Sequence, residues 1–234
     1  MAEYGIKVYS PDGSVILDNE TQVLVLSGSV KAPCVRYSDY PNMTHNGWTA
    51  TWELVRFTDA QTGATTGLGY ITWQMIYPVS PPIFERMWFM PDSGSHAIIS
   101  QNFFSVSSQG TGVEVRYTSK QSPNKQEGFI DVYTATGELA WSANALMKSP
   151  IILATFMYEG GTSNLAINLA QYGVPVAEIF VSTTYVGEWT DEEAGTVRCV
   201  CVKRVNSMLY VNFTNNTGVK LYPAHILLAR IQPI

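Results

Sequence analysis

Charge is what this chain has least of. Only 14% of its 234 residues are Asp, Glu, Lys or Arg, against about a quarter in ordinary soluble domains. The net charge is −5, and no basic cluster exceeds the pair Lys203–Arg204. That excludes nucleic acid as an expected partner, because a basic stripe supplies most of such affinity. Histidine is nearly as scarce: His45, His96 and His225 are the only three. Acid–base work near neutral pH leans on that side chain, so catalysis starts without its commonest tool. Long apolar runs are missing too. The longest, Ile151 to Tyr158, is far too short to cross a bilayer as a helix. The opening MAEYGIKVY has neither a charged n-region nor an apolar h-region, so no signal peptide is expected.

Cysteine is sparse and odd in number: Cys34, Cys199 and Cys201. With no secretory signal, that count predicts reduced thiols from a reducing compartment. Cys199 and Cys201 are two apart, so on a strand they would share a face. Cys-x-Cys without a second pair or a nearby His is a poor zinc signal, so neither a metal nor any other cofactor is expected. The four Asn-x-Ser/Thr sequons, at Asn19, Asn42, Asn212 and Asn215, read as by-products of Asn/Thr-rich loops. Phosphate loops, nucleophile elbows, H-E-x-x-H and calcium loops are all absent. Asp92, Ser95 and His96 stand together in PDSGSHA. Working triads are assembled from distant segments, so this cluster reads as a turn with local hydrogen bonds. Asp191, Glu192 and Glu193 read as a solvated loop, and nothing pairs Glu53, Glu85 and Glu114 on their candidate strands. No catalytic residue is assigned.

What the chain does have is apolar alternation and turns. Hydrophobic residues make up 46%, which excludes disorder. Ile6 and Val8 alternate with Lys7, Pro11-Asp12-Gly13 supplies a turn, and Val15 and Leu17 alternate again. That is a β-hairpin. It returns 124 residues later: IKVYSPDG is echoed by IDVYTATG, with Leu139 and Trp141 in place of Val15 and Leu17. Each hairpin precedes an apolar run, QVLVLSG and PIILATF, although the match between those runs needs a small gap. The polar stretch from Ser119 to Gly128 reads as a linker. The expected fold is all-β: two tandem sandwich-like modules over 1–124 and 125–234, or one larger sandwich. SNLAINLAQYG, from Ser163 to Gly173, fits a short helix capped by Gly173 and fits a strand equally well.

Aromatic side chains are the one plausible binding chemistry, since their faces stack on sugars and fill protein hot spots alike. Trp52, Trp73 and Trp141 read as core. Trp48 and Trp189 are expected in polar loops and are the ligand-binding candidates.

The opening EYGIKVYSPDGSVILDNET resembles a group of tailed-bacteriophage proteins. They begin Tyr/Phe-Gly-Ile/Leu-x-Val-Tyr/Trp-x-x-x-Gly-x-x-x-Leu/Phe-Asp. Tyr4, Gly5, Ile6, Val8, Tyr9, Gly13, Leu17 and Asp18 match. The second hairpin, ending at Trp141-Ser142, has the same style. The resemblance implies a minor tail or tail-tip component, made in the bacterial cytoplasm and carried in the virion, and it brings no catalytic residues. Expected partners are other tail proteins, further copies of the chain, and a host-surface glycan or receptor. A carbohydrate-binding receptor-recognition module is the alternative, and a glycan-degrading enzyme the third reading.

Overall fold

Alternating apolar residues bury one face of an extended chain, and the described residues form twenty-two strands. The computed structural model describes residues 7–9, 15–18, 24–32, 44–45, 48–53, 57–66, 70–75, 86–99, 103–106, 112–120, 130–137, 139–142, 149–160, 163–185, 188–191, 196–214 and 222–232. The first half runs β1 (Lys7–Tyr9), β2 (Val15–Asp18), β3 (Leu24–Ala32), β4 (Thr44–His45), β5 (Trp48–Glu53), β6 (Phe57–Thr58), β7 (Thr65–Thr66), β8 (Tyr70–Met75), β9 (Arg86–Pro91), β10 (His96–Ile99), β11 (Phe103–Val106) and β12 (Val113–Lys120). The second runs β13 (Asp131–Tyr133), β14 (Leu139–Ser142), β15 (Ile151–Tyr158), β16 (Leu165–Asn168), β17 (Ile179–Thr183), β18 (Glu188–Asp191), β19 (Thr196–Arg198), β20 (Val200–Val205), β21 (Met208–Phe213) and β22 (Ala224–Arg230).

Two antiparallel sheets carry the fold. One has the order β3-β12-β9-β17-β22-β15, the other β16-β21-β20-β10-β11-β8-β5-β4. Phe89, Val115, Val181, Ile226 and Leu228 from the first share one core with Ala97, Ile99, Val200, Val202, Leu209, Val211 and Phe213 from the second. The protein is therefore an all-β sandwich.

The six-stranded order reads the same from either edge. Each half contributes its first long strand at the rim, its last strand next, and an intermediate strand at the centre. The eight-stranded sheet repeats the scheme outward from its middle, β10-β11-β8 on one side and β20-β21-β16 on the other, with β5 and β4 extending the first half. Each half is thus the same six-strand arrangement. The halves meet edge to edge, through Val181 opposite Phe89 in one sheet and through β10 against β20 in the other. Ladders between strands on either side of residue 124 hold both sheets together, while the 124/125 position itself lies outside the described residues.

The sequence echo has a structural counterpart residue by residue. In β1–β2, Lys7 pairs with Asp18, Val8 with Leu17 and Tyr9 with Val15, with a bulge after Val8. In β13–β14, Asp131 pairs with Ser142, Val132 with Trp141 and Tyr133 with Leu139, with a bulge after Val132. Every partner is displaced by the same 124 positions. The register of the following strands keeps that displacement without a gap. Val30 pairs with Val115, which pairs with Phe89. Ala154 pairs with Leu228, which pairs with Val181. One row of paired residues therefore crosses the whole sheet, with Val30 and Ala154 at its ends.

Local chemistry explains the remaining elements. Gly137 closes the second hairpin at φ 84°, its amide donating to the Thr134 carbonyl at 2.9 Å. Glycine takes that backbone conformation without strain. The Ser163–Gly173 segment divides between both readings. Leu165–Asn168 is strand β16, and Leu169–Tyr172 is one 3-10 turn. The Asn168 side chain accepts from the Ala170 amide at 3.1 Å, and Gly173 ends the turn at φ 67°. On the outer face of the six-stranded sheet Arg116 lies 4.3 Å from the Phe180 ring centroid and donates to the Ile231 carbonyl at 2.5 Å. Its charge is met by Glu114 at 2.9 Å.

Candidate functional site

The densest polar chemistry among the described residues lies where the two halves join, on the outer face of the eight-stranded sheet. It starts from a turn. Between β6 and β7 the chain reads Asp59-Ala60-Gln61-Thr62-Gly63-Ala64, with Gly63 at φ 72°. The Asp59 amide donates to the Ala64 carbonyl at 2.8 Å and the Gly63 amide to the Asp59 carbonyl at 2.9 Å. The Asp59 carboxylate closes the turn from inside: Oδ1 accepts from the amides of Gln61 at 2.8 Å and Thr62 at 2.9 Å. Short acidic side chains favour such local bonds.

The other carboxylate oxygen faces the sheet. His96 of β10 and Lys203 of β20 sit directly opposite each other in the joint ladder, so their side chains leave the same face. Asp59 Oδ2 lies 2.9 Å from His96 Nε2 and accepts from Lys203 Nζ at 2.9 Å. One carboxylate thus ties a turn of the first half to a strand from each half. Asn164, next to β16, adds a second tie by donating to the carbonyls of Ala60 at 2.9 Å and Gln61 at 2.8 Å.

The cluster is largely shielded from solvent. His96 is 1% exposed, the side chains of Asp59 and Lys203 are 10% and 13% exposed, and Ala60 and Cys201 are buried. Burial by itself would raise the Asp59 carboxyl. The Lys203 hydrogen bond, the Thr62 and Gln61 amides and the His96 charge outweigh it and hold the group down at about 2. Burial pushes His96 below its ordinary value. Asp59 pulls it back up and Lys203 pushes it further down, so the imidazole is neutral at pH 7 and its Nε2–H donates to Asp59. Burial, followed by the charge of Asp59, drives the Cys201 thiol up. A protonated, covered thiol is a poor nucleophile. In the native protein Cys199 and Cys201 should therefore escape an alkylating reagent that labels both in denaturant, as read site by site by mass spectrometry. Native-state labelling of Cys201 as fast as in denaturant would contradict the closed geometry.

The turn expected at PDSGSHA is present, with the Ser95 amide donating to the Asp92 carbonyl at 2.8 Å, and its side chains find partners elsewhere. His96 is partnered by Asp59, 37 positions away, while Asp92 forms an ion pair with Lys31. Ser95 is buried, and its hydroxyl accepts from the Gly112 amide at 3.4 Å. Glu114 is held by Arg116. Glu53 lies on β5 opposite Tyr70. Glu85, Glu192 and Glu193 fall outside the described residues, as does Cys34. Cys199 and Cys201 are both buried thiols with no disulfide between them. Among the described residues no cluster of three or more His, Cys, Asp or Glu could hold a metal ion. The Trp48 and Trp189 backbones are strands rather than loops. Trp48 begins β5 and pairs with His45 and Met75. Trp189 lies in the separate β18–β19 hairpin, opposite Val197. No ladder brings the two together. The sequon at Asn212 is structural: its side chain is 2% exposed and accepts from Tyr158 Oη at 2.8 Å. Burial lifts that phenol to about 12.

Asp59 escaped the sequence reading. Its signal was an acidic residue opening a turn that closes on Gly63, between Phe57–Thr58 and Thr65–Thr66. Nothing local pointed to His96 or Lys203, because the joint ladder alone brings them there.

One family model spans residues 1–229, covering both halves and their joint. The chain belongs to the family described as domain of unknown function DUF8377. No curated protein and no solved structure matches it. Among the described residues no helix is long and apolar enough to cross a membrane.

Proposed function

We propose that this DUF8377 protein is a structural component of a bacteriophage tail that acts by assembly. The observation carrying the reading is the hairpin that opens each half. Its first copy bears the phage-tail resemblance at Tyr4, Gly5, Ile6, Val8, Tyr9, Gly13, Leu17 and Asp18. Its second copy repeats the ladder and bulge at the same displacement. Both hairpins are two-stranded sheets separate from the sandwich sheets. In the second, Ile130 is 56% and Tyr133 49% exposed. Exposed aromatic and aliphatic side chains on a small element outside both sandwich sheets suit contact with another protein. A chain with one such element at the head of each half suits a bridging position between neighbours. The shielded Asp59–His96–Lys203 cluster serves the joint in this reading, and no reaction is assigned to it.

Peptide mass spectrometry of density-purified particles tests the setting. The chain should be found in virions, and its deletion should lower tail assembly or host attachment. Its absence from particles, together with normal infectivity of the deletion, would overturn the reading.

A further inference from the structure

The two rims of the six-stranded sheet are the same position in the two halves, yet they differ in chemistry. On the β3 rim Ser27, Ser29 and Lys31 are exposed, and Lys31 is engaged by Asp92. The 124-residue displacement places Ile151, Leu153 and Thr155 at the matching positions of β15. Of these Ile151 is 53% exposed and Leu153 is half-buried against the core; on the same strand Ile152 is 50% and Met157 58% exposed. Strand Ile151–Tyr158 contains no charge and no proline, and among the described residues it ends its sheet. Soluble proteins usually guard a rim strand with a charge, a proline, a bulge or extreme shortness. Both rims have an irregular register against the neighbouring strand; β3 adds the charge of Lys31, whereas the eight-residue β15 adds neither charge nor proline.

We propose that β15 is a homodimer interface: it pairs antiparallel with β15 of a second copy and continues the six-stranded sheet into a twelve-stranded one. The molecule already uses this mode of association internally, since its halves join by antiparallel pairing of equivalent strands, β9 with β17 and β10 with β20. The β15–β15 contact continues that joined sheet by one more step of the same kind. Charge selects the occupant. An uncharged strand meets itself about a twofold axis with no like charges opposed, and such an interface closes at two copies. Pairing β15 with β3 of another copy would instead set Lys31 against an aliphatic row and leave one apolar β15 rim still open. The inference does not depend on the virion reading.

The test is the sedimentation mass of the full-length protein against concentration, with variants at exposed positions. Wild type should sediment as a dimer of the 25.9 kDa chain. Ile152→Lys and Met157→Lys each set an unpaired ammonium group against the uncharged, apolar rim of the partner strand. Taking a charge out of water without a partner is costly, so each should raise the dimer dissociation constant about a hundredfold or more. Ser29→Lys on the opposite rim should leave it unchanged. Circular dichroism confirms that the variants fold. A wild type that stays monomeric at every accessible concentration overturns the proposal. So does a dimer that tolerates both β15 lysines, or one that dissociates on Ser29→Lys.

Discussion

An Asp59→Asn chain should be about 3 kcal/mol less stable than wild type in denaturant titrations. The carboxylate accepts four hydrogen bonds, two from its own turn and two from the joined strands. An amide cannot neutralise Lys203, whose side chain is 13% exposed. Removing one partner of a largely buried pair leaves an uncompensated charge, which is why the loss exceeds that of a surface ion pair. The pH dependence carries the same information with a definite sign. Asp59 titrates near 2 in the fold, against an ordinary 3.8. Its contribution is therefore complete above 3.8 and disappears as the pH falls towards 2. His96 also titrates below its ordinary 6.5. The unfolded chain takes up that proton first, so stability starts to fall as the pH drops below 6.5. Asp59 is the group that raises His96, whereas burial and Lys203 lower it. In Asp59→Asn the imidazole should thus titrate lower still, as read by NMR of its ring protons. An upward move, or a stability loss no larger than that of an exposed Asp, would contradict the arrangement.

Phe89→Ala should cost about 4 kcal/mol, in the range expected for emptying a buried aromatic site. Phe89 is 1% exposed and occupies the centre of the six-stranded sheet. It pairs with Val115 of its own half and with Val181 of the other. The cavity would open at the joint, between residues with no exposed surface of their own, so the backbone can relax only by separating the halves. Thermal melts should show a single, lower transition. A variant within about 1 kcal/mol of wild type would mean that the joint contributes little of the packing.

Strand chemistry was legible in the sequence because its signal is local. Ile6/Val8 and Ile130/Val132 announce their hairpins, and the structure returns both with identical ladders. The apparent gap after the hairpins arose from matching apolar letters. The Val30–Val115 and Ala154–Leu228 pairs restore the constant displacement, which only hydrogen-bond register can reveal. Trp48 and Trp189 were expected in loops because polar residues flank them. Pairing to Met75 and Val197 made strands of both, a non-local effect that overrides composition. His96 was visible as one of three histidines, but its partner was not. Asp92 is near in sequence, whereas Asp59 is near in space because the β6–β7 turn lies against the strands of the joint. Contacts that depend on how two halves meet leave no mark in either half alone.

Two copies of one arrangement are merged into a single body across β9–β17 and β10–β20. Native-state amide hydrogen exchange tests it most directly. The amides of these four strands should exchange only through global unfolding, with a free energy equal to that from denaturant titration and with both halves opening in one cooperative step. Joint amides that exchange well before the rest, or separate unfolding of the 1–124 and 125–234 halves, would contradict it.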